Sequence, residues 1–236
     1  MKVYHGTNVK INNPNIRTGR IDTDFGQGFY VAFNNYMAEK WAVRKEYPVV
    51  NEYDIDLTGL KIKQFEIDKE WLNFVISNRN GVFLKQYDKY DVLIGTTADD
   101  KMFTTIETYE QGFLSVNDTI AILNNMDVGI QACLRTPEAI KALTYKSAYM
   151  LDSKAVYKLR EEMKNDRKTA QERTNEMLRQ IKQKENSLDV SNLSLEQLES
   201  IKQQIEDMNK INKRNQETIV SHKGKEKIDK NVGRDF

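Results

Sequence analysis

The sequence predicts an α+β domain over residues 1–150, followed by a helical extension. Three observations carry this. Nine of the 11 glycines fall within residues 1–129, none lies between Gly129 and Gly224, and the last of the three prolines is Pro137. A long stretch without breakers favours uninterrupted helix. Aromatic side chains divide the same way, with only Phe236 beyond Tyr157, and a compact core needs large side chains. In the first half, strand-like runs alternate with runs at helical spacing, whereas the second half shows helical spacing alone.

In chain order, Lys2–Gly6 reads as a short strand that stops at glycine. Gly28–Phe33 is a second apolar, β-rich run. Asn34 or Asn35 then caps a helix expected to reach about Tyr47, where Pro48 ends it. Val49–Leu57 alternates as a half-buried strand does. Asp68 caps a helix carrying Trp71, Leu72, Phe74, Val75 and Ile76, closed by Gly81. Tyr90–Gly95 is a strand, and 101–111 and 117–125 read as helices. Gly129–Arg135 is a late strand, after which Pro137 opens a short helix at its first turn. Beyond residue 150, Val156, Leu159, Met163 and Ala170 recur at near-heptad spacing. A break is expected around 186–192, and Ser194 to Gln197 has the form of a capping box. Leu198, Ile201, Ile205 and Met208 then step 3, 4, 3 along one helix stripe. The pattern predicts an amphipathic helical hairpin or coiled coil over 151–222 and a disordered tail over 223–236.

Composition narrows the function classes. Lys and Arg total 36 against 35 Asp and Glu, so no global positive field holds the chain on nucleic acid. Cys133 is the only cysteine, which rules out an internal disulfide and suits a reducing compartment. With only His5 and His222 besides it, no structural zinc site, or other metal site, is expected. No apolar run nears the roughly 20 residues that span a bilayer, and the N-terminus lacks a signal-peptide core. These features point to a soluble, bacterial-type cytoplasmic protein with no membrane partner.

Two segments carry the chemistry. Tyr4-His5-Gly6-Thr7 places a histidine before a residue with no Cβ, where a planar ligand can approach the backbone. Asp24-Phe25-Gly26-Gln27-Gly28-Phe29-Tyr30-Val31-Ala32 places a Gly-x-Gly before an aromatic strand. It lacks the third glycine and the strand-first context of a dinucleotide fingerprint, so a Rossmann reading fails. Together the segments resemble the ADP-ribosyltransferase superfamily, in its branch with a His-Tyr-Glu motif. Residues 26–32 resemble the Gly-Lys-Gly-Ile-Tyr-Phe-Ala run of the poly(ADP-ribose) polymerases. Tyr4 to Thr7, Asp24 to Tyr30, Ala38 to Ala42, Trp71 to Val75 and Ala98 to Asp100 resemble a bacterial family of unassigned function grouped with those enzymes. The resemblance covers roughly residues 1–145.

The resemblance implies a split β-sandwich with flanking helices, and NAD⁺ as substrate. It implies that His5 bonds the adenosine ribose and that the Gly6 backbone holds the nicotinamide carboxamide. Tyr30 stacks on the nicotinamide, Ala38 faces the amide, and Trp41 closes the sandwich. Thr7 and Gly28 line the same pocket. Arg17 and Arg20 are candidates for the pyrophosphate. A planar cation suits aromatic faces; aromatics on a strand and its following helix are usually core, and the His5-Gly6 partner favours the pocket for Tyr30 and Trp41. The superfamily's third element is a Glu on a late strand. Here that strand carries Gln131, which can hydrogen-bond a ribose hydroxyl but takes no proton at neutral pH. Asp99, Asp100, Glu107 and Glu110 compete for the missing carboxylate. The expected activity is mono-ADP-ribosyl transfer to a macromolecular acceptor, protein or nucleic acid, as in bacterial toxins or phage-defence effectors. Two readings stand beside it. One is an NAD- or ADP-ribose-binding module with little or no turnover. The other is an interaction protein whose 151–222 helices engage an antitoxin or a second copy.

Overall fold

A computed structural model describes residues 1–16, 21–98, 100–126 and 128–187. Seven strands form one mixed sheet: β1 (Lys2–Thr7), β2 (Phe29–Ala32), β3 (Val49–Ile55), β4 (Ile62–Gln64), β5 (Val92–Thr96), β6 (Ile130–Leu134) and β7 (Leu143–Met150). Their order across the sheet is β4-β5-β6-β2-β1-β3-β7. Only β4 and β5 run parallel; every other neighbouring pair is antiparallel. The helices are α1 (Asn35–Ala42), α2 (Lys69–Arg79), α3 (Asp100–Glu110), α4 (Val116–Asn124), α5 (Pro137–Lys141) and α6 (Ser153–Ser187). The protein is therefore α+β.

Local chemistry sets the helix starts. Asn34 Oδ1 accepts from the Met37 amide at 2.8 Å, and Asp68 Oδ1 accepts from that of Trp71 at 2.8 Å. Thr136 caps α5, with Pro137 in the first turn. These side chains satisfy amides that the helix leaves without partners. Helix α1 ends at Ala42 rather than near Tyr47, because Val43 turns inward against Leu159 and Met163 of α6. Arg160 closes that end, donating from Nε to the Val43 carbonyl at 3.0 Å and from Nη2 to that of Lys45 at 3.3 Å. Strand β3 stops at Ile55. Strands β4 and β7, and a 3₁₀ turn at Lys85–Tyr87, go beyond what the patterning predicts.

Each face of the sheet is covered. On one, Phe25, Trp71, Leu72, Phe74, Leu93 and Met102 bury together. On the other, Val3, Phe29, Tyr53, Val92 and Leu134 do so. Residues Met1–Met177 form one compact unit. The first part of α6 packs within it, where Lys40 pairs with Asp166 at 2.7 Å and Thr105 meets Thr174 at 3.2 Å. The expected turn at 186–192, the second stripe from Leu198 to Met208 and the 223–236 tail lie at or outside the end of the described residues. Among the described residues no helix is long and apolar enough to cross a membrane.

Candidate functional site

The two halves of the sheet meet at β1 and β2, and they meet at one position only, Tyr4 opposite Ala32. On their other sides, β1 keeps six paired positions with β3, and β2 keeps four with β6. Beyond Tyr4 the strands part, and a cleft of about 770 Å³ opens between them.

Hydrogen-bond parity shows what faces this opening. Ile55 N–H donates to the Met1 carbonyl at 2.8 Å. Alternation along β1 then turns Val3, His5 and Thr7 toward β3, and the amides and carbonyls of Tyr4 and Gly6 toward β2. The opposite wall gives the same result. Arg135 N–H donates to the Asp91 carbonyl at 2.9 Å, so Cys133 faces β5, Ala132 and Leu134 face β2, and Tyr30 and Ala32 face β1. Continued pairing would set Gly6 opposite Tyr30, but the ladder has stopped. The Tyr30 carbonyl is taken instead by His5 Nδ1 at 2.6 Å. The Gly6 N–H and C=O are left pointing into the split with no strand across from them.

His5, Gly6, Thr7, Gly28, Tyr30, Ala38, Trp41 and Gln131 all line this one cleft. His5 stacks on Phe29 at 4.4 Å between ring centroids. A carbonyl only accepts, so Nδ1 carries the proton toward Tyr30, and burial holds the imidazole pKa below its ordinary value despite that bond. At neutral pH Nε2 is therefore an acceptor. The Tyr30 hydroxyl donates to the Gly26 carbonyl at 2.7 Å, accepts from Phe25 N–H at 3.0 Å and meets Thr23 Oγ1 at 2.7 Å. Burial raises its pKa well above the usual phenol value. Tyr30 is thus anchored by its hydroxyl and offers the cleft its ring. Cys133, opposite Tyr30 on β6, is fully buried, and burial pushes its thiol up to about 12, which keeps it protonated at neutral pH.

The glycines answer to packing as well as to the cleft. A Cβ on Gly6 would strike the Ala38 carbonyl and come within 2.8 Å of Ala42 N. Ala38 is itself only 1% exposed. Its small size thus serves the close approach of α1 to β1. A Cβ on Gly28 would strike Cys133 Sγ and lie 2.7 Å from the Leu134 carbonyl. Trp41 is half-buried, and the Arg44 guanidinium lies 4.1 Å from its ring centroid. One face of the indole is therefore already covered by a cation. Arg17 and Arg20 lie outside the described residues.

Gln131 is 6% exposed, and its Nε2 donates to Asp24 Oδ2 at 2.9 Å. Asp24 lines the cleft too and is fully engaged. Oδ2 also accepts from Ala98 N–H at 2.9 Å, while Oδ1 accepts from Arg79 Nε at 2.9 Å and pairs with Arg79 Nη2 at 2.6 Å. Arg79 Nη2 reaches the Ala98 carbonyl as well. Next to Ala98, the Thr97 hydroxyl is buried without a hydrogen-bond partner. The carboxylate beside Gln131 is therefore Asp24, a residue that belongs to the 24–32 run but carried no assigned role in the sequence. Glu107 and Glu110 are exposed and stand away from the cleft. Asp100 is the first residue of α3, and Asp99 lies outside the described residues. Among the described residues no group of three or more His, Cys, Asp or Glu side chains is placed to hold a metal ion.

Fold and site together define an α+β domain whose sheet parts around a polar and aromatic cleft. Residues 1–145 match the family described as a protein of unknown function, DUF3990, and the chain belongs to that family. No curated protein and no solved structure matches it.

Proposed function

We propose that the cleft binds NAD⁺ and that the protein transfers the ADP-ribose unit to a macromolecular acceptor, its sheet serving as an ADP-ribosyltransferase-like split β-sandwich. The observation that carries this reading is the free amide edge of Gly6 in the split. An N–H and a C=O on one residue match the carbonyl and NH₂ of a nicotinamide carboxamide, donor to acceptor and acceptor to donor. Around that edge, Tyr30 supplies an aromatic face for a cationic ring. His5 Nε2 supplies an acceptor for a ribose hydroxyl, and Gln131 Oε1 supplies another. Cleavage breaks the C1′–N bond through an oxocarbenium-like state, as in glycoside hydrolysis. Nicotinamide leaves neutral, and the acceptor nucleophile bonds C1′ and releases its proton to solvent. The protein's part is to orient the dinucleotide and exclude wandering geometries. The accompanying biological reading is a cytoplasmic, metal-independent toxin or phage-defence effector, with the 151–222 helices docking a neutralising partner or a second copy. Light scattering on the full chain and on residues 1–177 tests that docking role; masses that stay monomeric in both, alone and with cell extract, remove it.

One observation favours turnover-free binding as the second reading. Gln131 cannot accept a proton, and losing a general base costs on the order of 10²–10⁴-fold. Labelled NAD⁺ incubated with protein and cell lysate separates the two. Transfer of label, or nicotinamide release, that is lost in Tyr30→Ala supports the enzyme. Saturable NAD⁺ uptake without either product supports the binding module. A wild type indistinguishable from Tyr30→Ala in all three readouts refutes both.

A further inference from the structure

We infer that Asp24 is the positioning residue for Gln131: it fixes the amide with Nε2 inward and Oε1 toward the cleft, and it excludes an ionised carboxylate from position 131. That Oε1, so placed, accepts from a ribose hydroxyl rests on the proposed function; the orientation itself does not.

An Asn or Gln side chain in a pocket can turn its amide either way, and the network around it decides. Here the decision is forced. An ionised carboxylate is an acceptor only, so the Gln131 end that meets Asp24 Oδ2 at 2.9 Å must be the NH₂. The other end of the amide, Oε1, is then the group left for the cleft that Gln131 lines. Asp24 cannot swing away to relax this arrangement. Arg79 holds Oδ1 through two nitrogens, Ala98 N–H shares Oδ2, and Asn78 Nδ2 donates to the Asp24 backbone carbonyl at 3.2 Å.

The same geometry explains why an amide stands at 131. A glutamate there would set a second carboxylate about one hydrogen-bond length from Oδ2. Two carboxylates that share a site do not both ionise readily, and one keeps its proton to higher pH. The other groups facing position 131 do not offset this. Tyr30 on β2 and Cys133 on β6 are neutral, and β5 contributes Gly95 and Thr97. Arg79, paired with Asp24, and Arg44 and Lys45, which line the same cleft, act in the opposite direction, whereas Asp22 in that lining acts with Asp24. Asp24 is the charge in direct contact with the 131 side chain, at 2.9 Å.

The test is Gln131→Glu in the full chain, followed by carboxyl ¹³C NMR and by unfolding as a function of pH. The new carboxyl is expected to titrate above the ordinary glutamate value of about 4.3, and the second change Asp24→Asn is expected to bring it down toward the value that burial alone sets. A folded-state pKa raised in this way means that the variant matches wild type most closely below pH ~4.3 and loses stability as pH rises through the raised value. Should the variant fail to fold at neutral pH, recovery of the folded state on acidification gives the same answer. A carboxyl at position 131 that titrates at the ordinary value, or a destabilisation that does not change with pH, overturns the inference. NAD⁺ titrations of wild type and variant at two pH values form a separate arm. No NAD⁺ binding by wild type refutes the proposed function alone and leaves the carboxyl titration to decide this one.

Discussion

Gly6 shows how one missing side chain serves two ends. Its Cα side is filled by the backbone of α1, and its amide edge opens into the split. Gly6→Ala forces a methyl into helix backbone that cannot rotate aside. We expect a loss of at least about 3 kcal/mol, the upper range for overpacking, read as a lower urea midpoint with an unchanged slope. Gly28→Ala should behave similarly, through Leu134. His5 provides a pH signature. Its folded pKa is lowered by burial. Its contribution to stability is therefore complete above the ordinary value of about 6.5 and is lost as pH falls toward the lowered one. Protonation also turns Nε2 from acceptor to donor. NAD⁺ affinity should thus stay level from pH 8 to 7 and fall on acidification. His5→Gln, which keeps an acceptor without an imidazole pKa, should flatten that fall in a calorimetric series.

Among the elements, α6 braces the α1 wall of the cleft. Leu159 and Met163 bury Val43, Arg160 caps the end of α1, and Lys40 reaches Asp166. Leu159 is 5% exposed, so Leu159→Ala should cost about 2–4 kcal/mol in chemical unfolding. Because α1 carries Ala38 and Trp41, it should also weaken ligand binding from a distance. Most of the elements could be read from the sequence, since their signals are local: Asn34 and Asp68 cap where side-chain chemistry dictates, Pro137 opens α5, and β3 and β6 carry strand patterning. Strand β7 could not. Its residues alternate only loosely between half-buried and exposed, and it exists because β3 offers an edge to pair with. The end of α1 escaped as well, because it is set by Val43 meeting a helix far along the chain, 117 positions away at Arg160. The eight described residues singled out from the motifs do gather in one cleft. Asp24 and Arg79 were hidden because their bond spans 55 positions, and that from Asp24 to Gln131 spans 107. No period or motif reports a contact of that range.

At the scale of the whole molecule, the sheet is two blocks, β4-β5-β6-β2 and β1-β3-β7, sharing one border pair, with α1 on one side of the opening and the Asp24–Arg79–Gln131 cluster on the other. A continuous sheet would have consumed the Gly6 edge in a ladder; the split leaves it open to the cleft. We propose that this edge binds the carboxamide of NAD⁺. The most direct measurement is a ¹H–¹⁵N NMR titration of the full chain with NAD⁺, following the Gly6 amide. Saturable shifts are expected, largest at Gly6, with His5, Tyr30 and the Gln131 side-chain amide moving in step, and lost in Tyr30→Ala. A Gly6 resonance that stays in place at saturating NAD⁺, or saturable shifts confined to residues outside the cleft, would contradict it.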